Sequence, residues 1–237
     1  IPTEAPTVET PVVVPTDVKE VPTVAPTLEA IVSDENLLVN GSFTDGKYGW
    51  DMRKGLGNDG EKLGKISDSV YKSAPYSLFL PYSSVCDKNK ECTRAVWPID
   101  AIALGENDIK TGDVLTFSGY VMLGEHSNDP SVYWVNPKYA GSLEAFAGSG
   151  AAEYKKWMDR GGAWLGLDFY NDKGEIISTV REIADWSLDS KNWYELSVCA
   201  DVVEGAKYAV PWVQVMEKDA PAGVWADDLS LSVIRFR

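Results

Sequence analysis

Six side chains, Tyr120, Trp164, Asp168, Tyr170, Trp212 and Gln214, carry the chemistry of sugar recognition, and all six fall on outward positions of alternating, strand-like runs. The runs are TFSGYVML (116–123), AWLGLDFY (163–170) and YAVPWVQVM (208–216). Flat aromatic rings stack on the apolar faces of pyranoses while amides and carboxylates take up hydroxyls, a mixture typical of sites with apolar walls and a few polar groups. A second reading of the same residues stays open, with Trp164 and Trp212 packed beneath the long segment 125–160.

Catalytic chemistry is not expected. The sequence holds no GxSxG elbow, no phosphate-binding GxxxxGK(S/T) and no pair of histidines, and its single histidine, His126, has no neighbouring base or nucleophile. Thirty-six acidic residues make any chosen glycosidase-type carboxylate pair arbitrary. One histidine and three cysteines supply too few nitrogen and sulfur ligands for a zinc centre. Cys86 and Cys92, in CDKNKEC, close a short polar loop that suits a disulfide in an oxidising compartment, with two free loop thiols as the alternative. Cys199, in YELSVCADV, is expected to be a small packed side chain. Asn40-Gly41-Ser42 forms an N-glycosylation sequon, although its place beside a strand argues against use.

The balance of 36 acids against 22 bases, a net charge of −14, repels phosphate backbones and anionic lipid. Nucleic acid and membrane insertion are therefore not expected, and no run of about 20 apolar residues is present to span a bilayer. A start at Ile1 reads as a processed chain, with a secreted or cell-surface location expected.

From Asn36 onward, short alternating segments separated by Gly, Asn, Asp and Pro clusters must position the six side chains. Leu165, Leu167 and Phe169 point inward between Trp164, Asp168 and Tyr170; Phe117, Val121 and Leu123 do the same beside Tyr120. This density of period-two alternation predicts an all-β, two-sheet antiparallel sandwich. In VWADDLSLSV the same counting sets Asp227 with Trp225 and Leu229 on an apolar face, where a carboxylate needs a partner.

Residues 1–35 are different, with six prolines, no glycine and no aromatic residue. They read as an extended Pro/Thr-rich tail or linker, and Thr beside Pro suits O-glycosylation. Yet 16 of the 35 are Ile, Val or Thr. Val12, Val13, Val14, Val18, Val21 and Val24 give the tail the composition of a donor strand that pairs with a neighbouring copy, its prolines confining it to positions that need no donor.

NLLVNGSFTDGKYGW (36–50) and WADDLSLSV (225–233) resemble the two ends of the jelly-roll carbohydrate-binding modules grouped as families four, nine and twenty-two. SAPYSLFL (73–80), IKTGDVLTFSGYVML (109–123), LGLDFYNDKGEII (165–177) and NWYELSV (192–198) resemble that group's successive strands in order. The resemblance covers about 36–237 except the insertion 125–160, which stands where the family has a short loop. It implies a jelly-roll sandwich with a sugar site on a concave sheet face, at the six residues above. It also implies a structural calcium near the chain ends, with oxygen ligands from Ser42, Thr44, Asp227 and backbone carbonyls. Thr44 stands where the family usually has an acid.

Two functions follow. The main expectation is a non-catalytic subunit of an extracellular assembly or filament, built by copies of the chain through the tail. The alternative is a monomeric carbohydrate-binding module on a Pro-Thr linker.

Overall fold

The computed structural model describes residues 29–33, 35–52, 64–81, 93–125, 162–185, 188–216 and 223–236. Twelve strands occupy them: β1 (Ala30–Val32), β2 (Trp50–Asp51), β3 (Lys65–Ser67), β4 (Ser77–Leu80), β5 (Thr93–Pro98) and β6 (Ile102–Ala103), then β7 (Val114–Leu123), β8 (Gly162–Tyr170), β9 (Ile176–Asp185), β10 (Trp193–Asp201), β11 (Tyr208–Met216) and β12 (Val224–Phe236). They form two antiparallel sheets, the sandwich that the alternation predicts. One sheet runs β10-β7-β12-β4-β3, with β1 also on β12; the other runs β2-β5-β11-β8-β9, with β6 also on β11.

The inward positions build one core between the sheets. Leu115, Phe117 and Leu123 of β7 face it from one sheet, Leu165, Leu167 and Phe169 of β8 from the other, all fully buried. Each such side chain contributes roughly 1.5–3 kcal/mol by leaving water. The intervening β7 residues Thr116, Ser118 and Tyr120 are only half-buried, so the alternation that the sequence displays is the alternation between core and outer face.

In β12 the parity breaks. The register against β7 shifts between Asp227 and Ser230, and Asp228 there has a φ of 51°. One extra residue in a strand reverses which side chains face inward beyond it. Val224 and Ala226 are buried before the bulge, and Leu229, Leu231 and Val233 after it. Trp225 and Asp227 therefore point to the outer face, and the expected grouping of Asp227 with Leu229 is corrected. Trp225 stacks there on its cross-strand partner Phe79, with ring centroids 4.5 Å apart.

Two further expectations change. Cys199 is exposed, opposite Thr116 on the outer face of β10, because it shares parity with Glu195 and Ser197 rather than with the buried Leu196 and Val198. The end of the tail is also part of the sandwich: Ala30, Ile31 and Val32 pair with Phe236, Arg235 and Ile234 of the same chain. The donor-strand residues Val12, Val13, Val14, Val18, Val21 and Val24, the Cys86 and Cys92 pair and residues 126–160 of the insertion lie outside the described residues.

Candidate functional site

Five of the six candidate residues come together on the outer face of the sheet containing β8 and β11. Cross-strand partners share a face in an antiparallel pair, and Gln214 lies opposite Trp164, Trp212 opposite Gly166, and Tyr208 opposite Tyr170. From β9, Ile183 joins Trp164, Arg181 joins Gly166 and Thr179 joins Asp168. Trp97 of β5 shares the parity of Ala95, the partner of Gln214, and extends the face with a third indole.

Tyr120 is not part of it. It belongs to β7, in the other sheet, opposite Glu195 and Asp227. Its hydroxyl donates to Glu195 Oε2 at 3.5 Å, and Lys72 Nζ lies 4.7 Å from its ring centroid. Outward parity on two sheets means opposite sides of a sandwich, so the six-residue constellation is corrected to five.

The face is graded in exposure along β8. At one end Tyr208 is 43% and Ile176 39% exposed, with Tyr170 and Asp168 part-buried; at the other Trp212 is 8% and Trp164 only 2% exposed. Trp164 and Trp212 thus do not stand open to solvent as outward parity alone suggests. Trp164 and Asp168 are four positions apart on β8, a backbone span of about 13 Å at about 3.3 Å per residue. Between them the Trp212 indole occupies the space over Gly166, the β8 position between Trp164 and Asp168 on this face, which has no side chain. Arg181 places its guanidinium 5.7 Å from the Trp164 ring centroid.

Hydrogen bonding on this face is incomplete. Asp168 accepts side-chain hydrogen bonds from Trp212 and Thr179. Among the described residues its Oδ1 has no partner, nor does Trp164 Nε1, and both atoms are shielded from solvent. A buried donor or acceptor left unpaired costs about 1–3 kcal/mol, more when charged. A shielded donor and a shielded acceptor on one face, with the Trp212 indole over Gly166 between their positions on β8, are the kind of groups a polyhydroxylated ligand would satisfy.

Burial pushes the Asp168 carboxyl above the ordinary carboxylate range, against the pull of the Trp212 and Thr179 hydrogen bonds and, more weakly, of Arg181. Burial and then the Asp168 charge push the Tyr170 hydroxyl up in turn.

No protein-family model matches the chain, and no curated protein does. Solved structures do. A family 16 carbohydrate-binding module has a TM-score of 0.48 at 11% identity, over 83% of this chain and 99% of that one. The CBM22-1 xylan-binding domain of Xyn10C from Paenibacillus barcinonensis has a TM-score of 0.45 at 13% identity, over 90% and 99%. The enzymatically active domain of tailspike protein 4 from bacteriophage CBA120 has a TM-score of 0.49 at 9% identity, over 84% of this chain but only 21% of the phage chain. These likenesses concern the fold; what the face binds is decided by its own side chains.

The residues considered for calcium do not fit the ion. Asp227 Oδ2 accepts the backbone N–H groups of Lys72 and Ser73 at 2.8 and 3.0 Å, and Oδ1 accepts that of Asp228 at 2.8 Å. Positive ends of peptide dipoles occupy the carboxylate where a cation would have to sit. Ser42 and Thr44 hydrogen-bond each other at 2.9 Å rather than Asp227. Among the described residues no group of three His, Cys, Asp or Glu side chains is placed to hold a metal. Asp227 instead ties the 72–73 turn to the β12 bulge. Its carboxyl is raised by burial, and by the neighbouring Asp228 charge, against those three donors.

Proposed function

We propose that this chain is a non-catalytic carbohydrate-binding module whose site is the outer face of β8 and β11. The observation that carries the reading is the pair of shielded atoms without a partner among the described residues, Trp164 Nε1 and Asp168 Oδ1, on one face with the indole of Trp212. Indole faces suit the C–H faces of sugars, the Asp168 oxygen and Gln214 suit hydroxyls, and both occur here on neighbouring strands.

Exposure falls from Tyr208 to Trp164, so a ligand approaches from the Tyr170 end. That favours a chain end or a short saccharide over a long polymer lying across the whole face. An extracellular setting belongs to the proposal and rests on the Pro-Thr composition of residues 1–35. The assembly reading is the weaker one: its donor residues fall outside the described part, and the described end of the tail pairs within its own chain.

The test is retention on a glycan array by the full chain and by Trp212→Ala, with near-ultraviolet circular dichroism to confirm that each is folded. Specific retention by the parent chain, lost in the folded variant, supports the assignment. A folded parent chain that retains no glycan refutes it.

A further inference from the structure

Asp168 stands where the face changes from open to closed. Toward one end lie Tyr170, Tyr208 and the exposed Ile176; toward the other lie Trp212 and the fully buried Trp164. Among the described side chains that share this face on β8, β9 and β11, it is the charged one nearest the open end. Its hydrogen bonds from Trp212 and Thr179 leave Oδ1 without a donor among the described residues, and because Oδ1 has no surface open to solvent a ligand reaches it only as a neighbouring side chain moves aside.

Among the described residues, the groups that face Asp168 come from three strands. Tyr170 is on its own strand, Thr179 and Arg181 are on β9, and Val210, Tyr208 and Trp212 are on β11. Arg181 is the one cation among them, and its guanidinium is turned to the Trp164 ring at the closed end. Its pull on the Asp168 carboxyl is the smallest of the effects acting there. A ligand atom at Oδ1 therefore meets an acceptor carrying negative charge in a poorly hydrated place. A hydroxyl or ammonium donor gains there, and a second anion is repelled with little screening.

Resting on the carbohydrate-binding reading, we propose that Asp168 sets the charge specificity of the site: Oδ1 accepts a hydrogen bond from a ligand hydroxyl or amine, so the site takes neutral or amino sugars and refuses those carrying carboxylate or sulfate. The same contact ties affinity to acidity. A ligand donor favours the ionised carboxylate, so binding is full above the Asp168 pKa of the free protein and weakens as acid protonates it.

The experiment uses the full chain on an array holding neutral, amino, uronate and sulfated glycans, followed by titration of a retained glycan across the acidic range. The expected result is retention of neutral or amino members without their acidic counterparts, and an affinity that declines on acidification. Asp168→Asn should lose about tenfold to a hundredfold in affinity for the neutral ligand, the range for a hydrogen bond to a charged group. It should also lose the acid-dependent decline and admit uronates. Equal retention of neutral and acidic counterparts by the parent chain overturns the charge filter while leaving carbohydrate binding intact. So does an Asp168→Asn variant with undiminished affinity. Retention of no glycan at all overturns both the filter and the function on which it rests. The discrimination and the acid profile are read on the unaltered chain, so they decide the matter even where the variant misfolds.

Discussion

The indole of Trp212 lies directly over the α-carbon of Gly166, its cross-strand partner, so that a β-carbon at residue 166 would overlap the six-membered ring. Gly166 is thus a space kept empty for a neighbouring strand's side chain, and it sets the position of the donor that Trp212 offers to Asp168.

Gly166→Ala should therefore displace Trp212. The expected cost is about 1–3 kcal/mol of stability, as for other overpacked sites, together with loss of glycan retention. Urea denaturation and the array measure the two separately. Unchanged values of both would mean that the indole moves aside freely and that its placement is not part of the site.

Trp164→Ala should be expensive. An open stacking residue would be removed with little effect on folding, but a side chain 2% exposed leaves a cavity. About 3–5 kcal/mol is expected from loss of a buried aromatic side chain. A midpoint shift under about 1 kcal/mol in denaturant would show Trp164 open in solution, contrary to its burial.

The pH dependence of stability follows from Asp168. Its folded-state pKa is raised above the ordinary aspartate value of 3.8. For a raised carboxyl the folded state holds the proton more tightly, so this group's stabilising contribution is complete below the unfolded pKa and is lost as pH rises through the folded one. Asp168→Asn removes that contribution. The difference in melting temperature between parent and variant should therefore vary with pH in the window just above 3.8 and become constant above the folded pKa. A difference that stays flat through the window would show that the carboxyl titrates normally.

How much of this was legible beforehand differs from residue to residue. Leu165, Leu167 and Phe169 announced a strand with one buried face, and its partner faces followed from similar runs, because a period of two is written directly in side-chain types. Parity says in or out but not which sheet, and so Tyr120 was grouped with Trp164 although a whole core separates them. Nor does parity register a bulge. The extra residue at Asp227 and Asp228 left Trp225 counted on the wrong side. The burial of Trp164 and its orphan N–H depend on tertiary packing, which no local pattern encodes. Gly166 was the available signal: a glycine between Trp164 and Asp168 in a strand marks close approach by another group.

Asp227→Ala should be among the most damaging outer-face substitutions. It would leave the backbone N–H groups of Lys72, Ser73 and Asp228 without their acceptor in a place where Asp227 is wholly buried. With about 1–3 kcal/mol for each unpaired donor, a loss of more than about 3 kcal/mol is expected. Because those donors, not a cation, satisfy the carboxylate, a chelator should leave the parent melting temperature unchanged. A clear drop on adding chelator would restore the calcium site that the sequence suggested.

Asn40 should remain without a glycan despite its sequon. A glycan would be attached to Nδ2, and in the folded chain that nitrogen donates to the carbonyls of Gly46 and Tyr48 at 3.0 and 2.9 Å. Oδ1 meanwhile accepts the N–H of Asp45 at 3.0 Å, and the Asn40 carbonyl accepts Trp50 Nε1–H at 3.1 Å. Asn40 has a φ of 55°, a left-handed conformation that asparagine tolerates better than most residues. Its side chain thus holds the 40–50 turn closed. A sugar added before folding would replace one of the two N–H donors and wedge the turn open, so the folded, secreted population should be the unmodified one. Peptide mass spectrometry of chain secreted by a glycosylating host should find Asn40 bare, and Asn40→Ala should cost about 1–3 kcal/mol by orphaning the groups it pairs. A folded chain carrying a glycan at Asn40 with undiminished stability would contradict this turn.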